Sequence, residues 1–172
     1  SAGDRELGEG VLRELQPGLY PASGAAFAAL EIKEMKDRID EDLSRSGHAE
    51  LDIKLGTGGI REMEFAVQAL QLSHGAREPW LREGNTLRAL HRLADKGFVS
   101  YGDHFALSRA YDYLRRVEHR LQMERNRQTC LLPSEAGGLR ILARRLGYLE
   151  ENREAAVFQA ELDRHRLAIR GF

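Results

Sequence analysis

The sequence contains almost no sulfur chemistry, almost no net charge and no long apolar run, and each shortage narrows what the chain can be. Its one cysteine, Cys130, excludes an internal disulfide and fits a reducing, cytoplasmic compartment. A formal net charge of -1 gives no general attraction to nucleic acid or to an anionic membrane, so any such binding would need a local patch. No stretch approaches the roughly 20 apolar residues of a membrane-spanning helix. No signal-peptide pattern opens the chain, no segment is of low complexity and no internal repeat stands out. There is no metal-ligand cluster: Cys130 has no neighbouring Cys or ligand-spaced His. Nothing supports a Ser-His-Asp assignment. The chain opens on Ser1 rather than Met, which points to a piece of a longer protein.

What is present is a balanced globular composition, 31% charged and 42% hydrophobic, in 172 residues. That length suits one domain with a real core. The dominant period is helical. A short first helix covers "RELGEGVLRELQ" and ends before Pro17. Ser23 offers a cap for "GAAFAALEIKEMKDRIDEDLSRSG", with Phe27, Leu30, Met35, Ile39 and Leu43 as its apolar stripe and Gly47 as its stop. Leu51, Ile53 and Leu55 alternate with Asp52 and Lys54, the pattern of one brief strand. Further helices run from Gly59 to about His74, over "NTLRALHRLADKG" between an Asn85 cap and a Gly97 stop, and from about Tyr101 to Gln128. Two more start at Ser134 and Asn152. The expectation is an all-α bundle of about six helices with one glycine-rich loop, a single helical domain over residues 1–172.

Two constellations carry chemistry. In "DIKLGTGGIREMEF" (52–65) Lys54, Gly56, Gly58, Gly59 and Arg61 surround the first turn of a helix. A helix N-terminus has unpaired N–H groups and a partial positive charge, which suit a phosphate, and Lys54 and Arg61 add full charges. The same residues also read as a tight turn with Arg61 paired to Glu64. On this helix Ile60, Met63, Ala66, Val67 and Leu70 form one apolar face, and Phe65, Ala69 and Leu72 another. Between them runs a polar stripe of Arg61, Glu64, Gln68 and Gln71. On the longest helix Ala106, Ala110, Tyr113, Leu114, Val117 and Leu121 form the core face. Arg109, Arg116, Arg120 and Arg127 line a different face, flanked by Asp112 and His119. Such a row needs anions opposite it, whether neighbouring carboxylates or a phosphate-bearing ligand.

The blocks "DIKLGTGGIREMEFAVQALQLSHGAREPWLRE", "AYDYLRRVEHRLQM" and "QTCLLP", in this order and at this spacing, resemble the bifunctional glutamine synthetase adenylyltransferase/adenylyl-removing enzymes. "EIKEMKDRI" resembles the segment that precedes them. The likeness is to the helical domain following a nucleotidyltransferase domain, a module shared with PII uridylyltransferases, and the wording "GGIRE" and "EHRLQM" looks like the N-terminal, adenylyl-removing half. Thr57 stands where the family loop often has proline, and Cys130 where a polar residue, often histidine, is usual. The Gly-Ser and Asp-x-Asp elements with which polymerase-β-like nucleotidyltransferases hold two Mg²⁺ ions are absent, and Glu62 and Glu64 point apart on a helix.

The resemblance therefore implies a cooperative site. The preceding nucleotidyltransferase domain would supply Mg²⁺ and the catalytic aspartates, ATP, ADP and phosphate being substrates or products, while this domain closes the cleft and is inert alone. Lys54, the Gly58 and Gly59 N–H groups and Arg61 would face a phosphate, with Arg116, His119 and Arg120 on the same wall and Glu64 orienting Arg61 or Lys54. The activity implied is phosphorolytic removal of AMP from a glutamine synthetase tyrosine. The alternative is a non-catalytic helical module that docks glutamine synthetase or the PII signalling protein, or relays between two catalytic halves. Nucleic-acid binding is poorly supported, since no aromatic interleaving accompanies the arginines.

Overall fold

A computed structural model describes residues 3–21, 25–47, 50–125 and 130–172. Among these the chain forms seven α-helices and no strand: α1 (Arg5–Leu19), α2 (Ala25–Ser46), α3 (Ile60–His74), α4 (Thr86–Asp95), α5 (Tyr101–Arg125), α6 (Ala136–Arg145) and α7 (Glu154–Arg170). A single 3₁₀ turn, Pro79–Leu81, precedes α4. No helix is long and apolar enough to cross a membrane among the described residues.

The core lies where α3, α4, α5, α6 and α7 meet. Ile60, Met63 and Val67 of α3 face Leu90 and Leu93 of α4, and Leu107, Leu114, Val117 and Leu121 of α5 pack with Leu142, Phe158 and Leu162. The buried side chains of α5 recur at the helical period, so from Leu107 to Leu121 one edge of the longest helix faces inward. Ala106, expected on that edge, is exposed, and Leu107 is buried in its place. The Asn85 side chain accepts from the Arg88 N–H and so caps α4, which Gly97 ends with φ of 76°.

Several boundaries differ from the sequence expectation. Pro17 lies inside α1, which runs on to Leu19; near a helix end a proline removes only one backbone bond. Asp4 caps α1 by accepting from the Glu6 and Leu7 N–H groups. The expected strand is one antiparallel bridge between Asp52 and Leu131, because the Asp52 carboxylate bends the chain by accepting from the Lys54 and Leu55 N–H groups at 2.8 Å. Neither Ser134 nor Asn152 caps a helix: Glu135 and Arg153 hold the N-cap positions of α6 and α7, and Asn152 has a positive φ of 61°. On α2 Leu30 and Met35 are exposed, while Ile39 and Leu43 are half-buried. Ser23, the Phe27 side chain, Arg127 and Gln128 lie outside the described residues.

One guanidinium clamp and one close backbone approach set the geometry around residues 50–59. Arg166 of α7 donates from its guanidinium to the Glu50 and Asp52 carbonyls, both at 2.8 Å. Gly58 then lies directly against the Arg166 backbone: a Cβ there would sit 2.4 Å from the Arg166 carbonyl oxygen, at a φ of +68°. Gly97, by contrast, has the same sign of φ and open space around it. Gly58→Ala should therefore cost at least about 2 kcal/mol from strain and overlap together, and Gly97→Ala about 1 kcal/mol from strain alone. Urea unfolding of the two variants measures the difference, and equal losses would mean that α7 yields at Gly58.

Candidate functional site

The first turn of α3 uses its own N–H groups. Gly58 donates to the Glu62 carboxylate at 2.6 Å, and Gly59, Ile60 and Arg61 donate to the carbonyls of Gly56, Ile53 and Lys54. Glu62 is held in turn by Lys36 of α2 at 3.2 Å. The cap runs one way, since Gly59 at the N-cap has no side chain to return a bond, and it forms because orphan donors at a helix start must find acceptors. In this geometry the Gly58 and Gly59 N–H groups already have partners. Gly58 makes room for α7, and Gly59 makes room for the carbonyls of Gly56 and Lys54, which a Cβ would meet at 2.6 and 2.8 Å.

The side-chain cations are arranged differently. Lys54 reaches Glu118 of α5 at 3.7 Å, and Arg115, one turn earlier on α5, reaches the other oxygen of Glu118 at 2.6 Å. The Arg115 guanidinium lies 5.8 Å from the Tyr111 ring, the Tyr111 hydroxyl donates to Glu64 at 3.1 Å, and Glu64 pairs with Arg61 at 3.4 Å. These contacts run as one chain along the crease between α3 and α5. Glu118 is 3% exposed, whereas Lys54, Arg115 and Arg61 are 36%, 39% and 41% exposed. Two carboxylates thus hold three partly exposed cations, each with further donors, of which the Arg61 Nε is buried without a partner among the described residues. That is the charge and donor pattern which suits a phosphate or another multi-oxygen anion. Behind it, Cys130 sits 3.8 Å from Glu118; burial, with Glu118 adding, pushes its thiol above the ordinary value and keeps it protonated.

Arg115, Glu118 and Tyr111 were not singled out in the sequence. The signal was available: residues 111, 115 and 118 share one flank of the buried edge made by Ala110, Leu114, Val117 and Leu121. Arg109, Arg116 and Arg120 occupy the opposite flank by the 3.6-residue turn, with His119 facing outward, and all four are exposed. Lys54 and Arg61 accordingly share a crease with Arg115, and the structure does not bring Arg116, His119 or Arg120 to it. The polar stripe on α3 also divides: Gln71 is buried and donates to the Leu81 and Glu83 carbonyls at 2.6 and 2.8 Å, while Gln68 faces water.

Arg116 instead stands beside a second polar group. Its guanidinium lies 5.9 Å from the Tyr113 ring, at a pocket of about 200 Å³ lined with Leu146, Gly147, Tyr148 and Glu161. The Tyr148 hydroxyl donates to Glu161 at 2.7 Å and lies 3.0 Å from the Tyr113 hydroxyl. That donated bond holds the Glu161 carboxyl below its ordinary value, and burial raises both phenols. His165 stacks on Tyr113 with ring centroids 4.4 Å apart and lies 3.6 Å from Glu161.

The sequence profile of the family described as GlnD PII-uridylyltransferase matches residues 27–172. The chain belongs to this family. A bifunctional glutamine synthetase adenylyltransferase/adenylyl-removing enzyme of Stenotrophomonas maltophilia is 47% identical over 152 residues, 88% of this chain and 16% of the relative. Proteins of the same name from Streptomyces coelicolor and Corynebacterium glutamicum are 40% and 37% identical over 85% and 97% of this chain, and 14% and 16% of their own lengths. The chain spans about a sixth or less of these curated relatives.

A nucleotidyltransferase relative implies Mg²⁺, and the acidic groups of this family member do not fit it. Glu62 is committed to Lys36 and a backbone N–H, Glu64 to Arg61 and Tyr111, and Glu118 to Lys54 and Arg115. No three described His, Cys, Asp or Glu side chains converge as metal ligands. No step is assigned to a metal held by this chain.

One titration is written into the second group. Burial, with Arg164 adding, pushes the His165 imidazole below its ordinary 6.5, against the opposing pull of Glu161. The folded chain therefore binds fewer protons at His165 than the unfolded chain does. Stability is full above 6.5 and falls as pH drops through that value. The melting temperature should decline from about pH 7 to about pH 5, and His165→Gln should flatten the decline over that window. A decline of equal slope in the variant would assign it to other groups.

Proposed function

We propose that this chain is the helical domain of a bifunctional glutamine synthetase adenylyltransferase/adenylyl-removing enzyme, lying beside a nucleotidyltransferase domain and closing its active site. The observation that carries the reading is the crease in which Lys54, Arg61 and Arg115 are held by Glu118 and Glu64 with donors to spare. In this reading the three side chains bind inorganic phosphate or the phosphates of a nucleotide during removal of AMP from a glutamine synthetase tyrosine. The neighbouring domain brings Mg²⁺ and the catalytic carboxylates. Glu64 and Glu118 fix the cations in place and neither donate nor accept a proton in the reaction. Arg116, His119 and Arg120 take no part, and Gly58 and Gly59 serve the shape of the turn.

Electrostatics explains what such a crease contributes. A phosphoryl group in transfer spreads negative charge over its outer oxygens, and cations already ordered around it need no reorganisation when that charge develops. Lys54 is a point charge, whereas Arg61 and Arg115 offer planar forks. The family profile and the identity of the relatives as glutamine synthetase adenylyltransferase/adenylyl-removing enzymes support this assignment of the domain.

The test is phosphorolytic AMP release from adenylylated glutamine synthetase by the longer enzyme containing this chain, measured across phosphate concentrations. Lys54→Gln, Arg61→Gln and Arg115→Gln should each lose a charge-assisted contact of about 1.5–3 kcal/mol, roughly ten- to a hundredfold in rate or phosphate dependence. The melting temperature of the 172-residue chain should barely move with Arg61→Gln, whose pair with Glu64 is partly exposed. It should fall with Lys54→Gln or Arg115→Gln, each of which takes a partner from the buried Glu118, so Arg61→Gln separates phosphate binding from stability. The 172-residue chain alone should release no AMP. Wild-type phosphate dependence in all three variants would reduce the crease to a structural ion-pair network.

A further inference from the structure

The outer face of α5 is a second charged surface that the phosphate reading leaves unused. Arg109, Arg116 and Arg120 are exposed, and among the described residues no carboxylate pairs with any of them. Their recorded partners are rings: Arg109 lies 5.6 Å from the Phe105 ring and Arg116 5.9 Å from the Tyr113 ring. Asp112, one turn from both Arg109 and Arg116, is exposed and forms no ion pair with either. This contrasts with the α3–α5 crease, where each of the three cations has a carboxylate partner. The row spans about 16 Å of helix at 1.5 Å per residue.

Large apolar side chains extend the same face. Tyr101, Phe105 and Met123 are 67%, 63% and 74% exposed. Turned outward on α5, then, are arginines, aromatic rings and a methionine, with His119 and Asp112, and among the described side chains of this face no lysine or glutamate. Protein–protein interfaces are enriched in aromatic residues, Met and Arg, and depleted in Lys and Glu. A solvated helix face would carry the opposite bias.

We infer that the outer face of α5 docks another protein through a surface that places two or more carboxylates beside apolar side chains. Charge complementarity chooses the occupant. Three guanidinium groups with no carboxylate partner among the described residues call for planar anions, which Asp and Glu provide at the spacing of a helix or a strand. Duplex nucleic acid fits less well, because the basic stripe is one helix wide, Asp112 interrupts it and the chain as a whole carries a net charge of -1. The inference is independent of the phosphate reading, since it uses none of Lys54, Arg61 or Arg115.

The experiment titrates the 172-residue chain into a fluorescein-labelled amphipathic peptide of about 18 residues, with Glu at i, i+4, i+7 and i+11 beside a leucine stripe, followed by anisotropy. An analogue with Lys in place of Glu and a duplex DNA of about 20 base pairs serve as the other probes. The Glu peptide should bind at least about tenfold more tightly than the Lys analogue, and less tightly as salt rises from about 50 to 300 mM. Arg116→Glu combined with Arg120→Glu should weaken it by about tenfold or more, and Phe105→Ala by several-fold, while Arg88→Glu on α4 leaves it within about twofold. Circular dichroism should show unchanged helix content in every variant. Absent binding of the Glu peptide, equal binding of the Lys analogue, or indifference to the double substitution would overturn the inference. So would tighter binding of the duplex, or light scattering that shows a dimer abolished by Arg116→Glu with Arg120→Glu, which would give the face to nucleic acid or to a second copy.

Discussion

A carboxylate removed from water at Glu118 is the constraint around which this part of the molecule is organised. An isolated buried charge is too costly to keep, so cations must approach it from whichever elements can reach. Lys54 does so from the turn before α3, and Arg115 from the preceding turn of α5. The Lys54–Glu118 pair ties this turn to the longest helix, and Arg166 ties residues 50 and 52 to α7 through their carbonyls. A turn of this length with three glycines has many conformations available when unfolded. Two guanidinium groups, a lysine and the capping carboxylate of Glu62 reduce them to one.

That arrangement moves the chemistry from backbone to side chains. A helix N-terminus binds anions when its first N–H groups are free, and here Gly58, Gly59, Ile60 and Arg61 have spent theirs on Glu62 and on three carbonyls. The positive end of α3 faces the carboxylate of Glu62 instead. What remains for a ligand is full charge on three long side chains, whose reach and planarity differ. Selectivity for a phosphate in such a crease comes from the spacing of the cations and from the fixed carboxylates behind them.

Much of the fold was legible because most of these helices carry a periodic apolar edge or a recognisable stop. Asn85 and Gly97 bracket α4 where turn and cap chemistry places them, and α3 starts after Gly59. Ala106 was misplaced because alanine has too little surface to decide between neighbouring positions on a wheel, and Leu107 decides the matter by burial. Ser134 and Asn152 are good capping residues in isolation, but α7 starts at the buried Glu154, held by Arg144 of α6 at 2.7 Å, and Asn152 lies before it with a positive φ. Nothing in the structure explains why Ser134 does not cap α6. The arginines illustrate a deeper limit. Spacing grouped Arg109, Arg116 and Arg120 correctly as one row, yet it carries no information about what lies opposite a row. Arg115 was hidden in a doublet with Arg116, and only the packing of α3 against α5 separates the two by environment.

α1 follows a different logic from the rest. It buries no side chain, and its Leu7, Val11, Leu12, Leu15 and Leu19 stand exposed. Its recorded attachment lies at one end, where Arg82 donates to Gln16 and stacks 4.8 Å from Tyr20, whose ring meets Gly75. A helix of 15 residues has little stability of its own in water, since each added bond scarcely outweighs the ordering of one more residue. Its amide protons therefore belong to a separate cooperative unit, exchanging with solvent through local fraying that leaves the interior amides of α3, α5 and α7 protected.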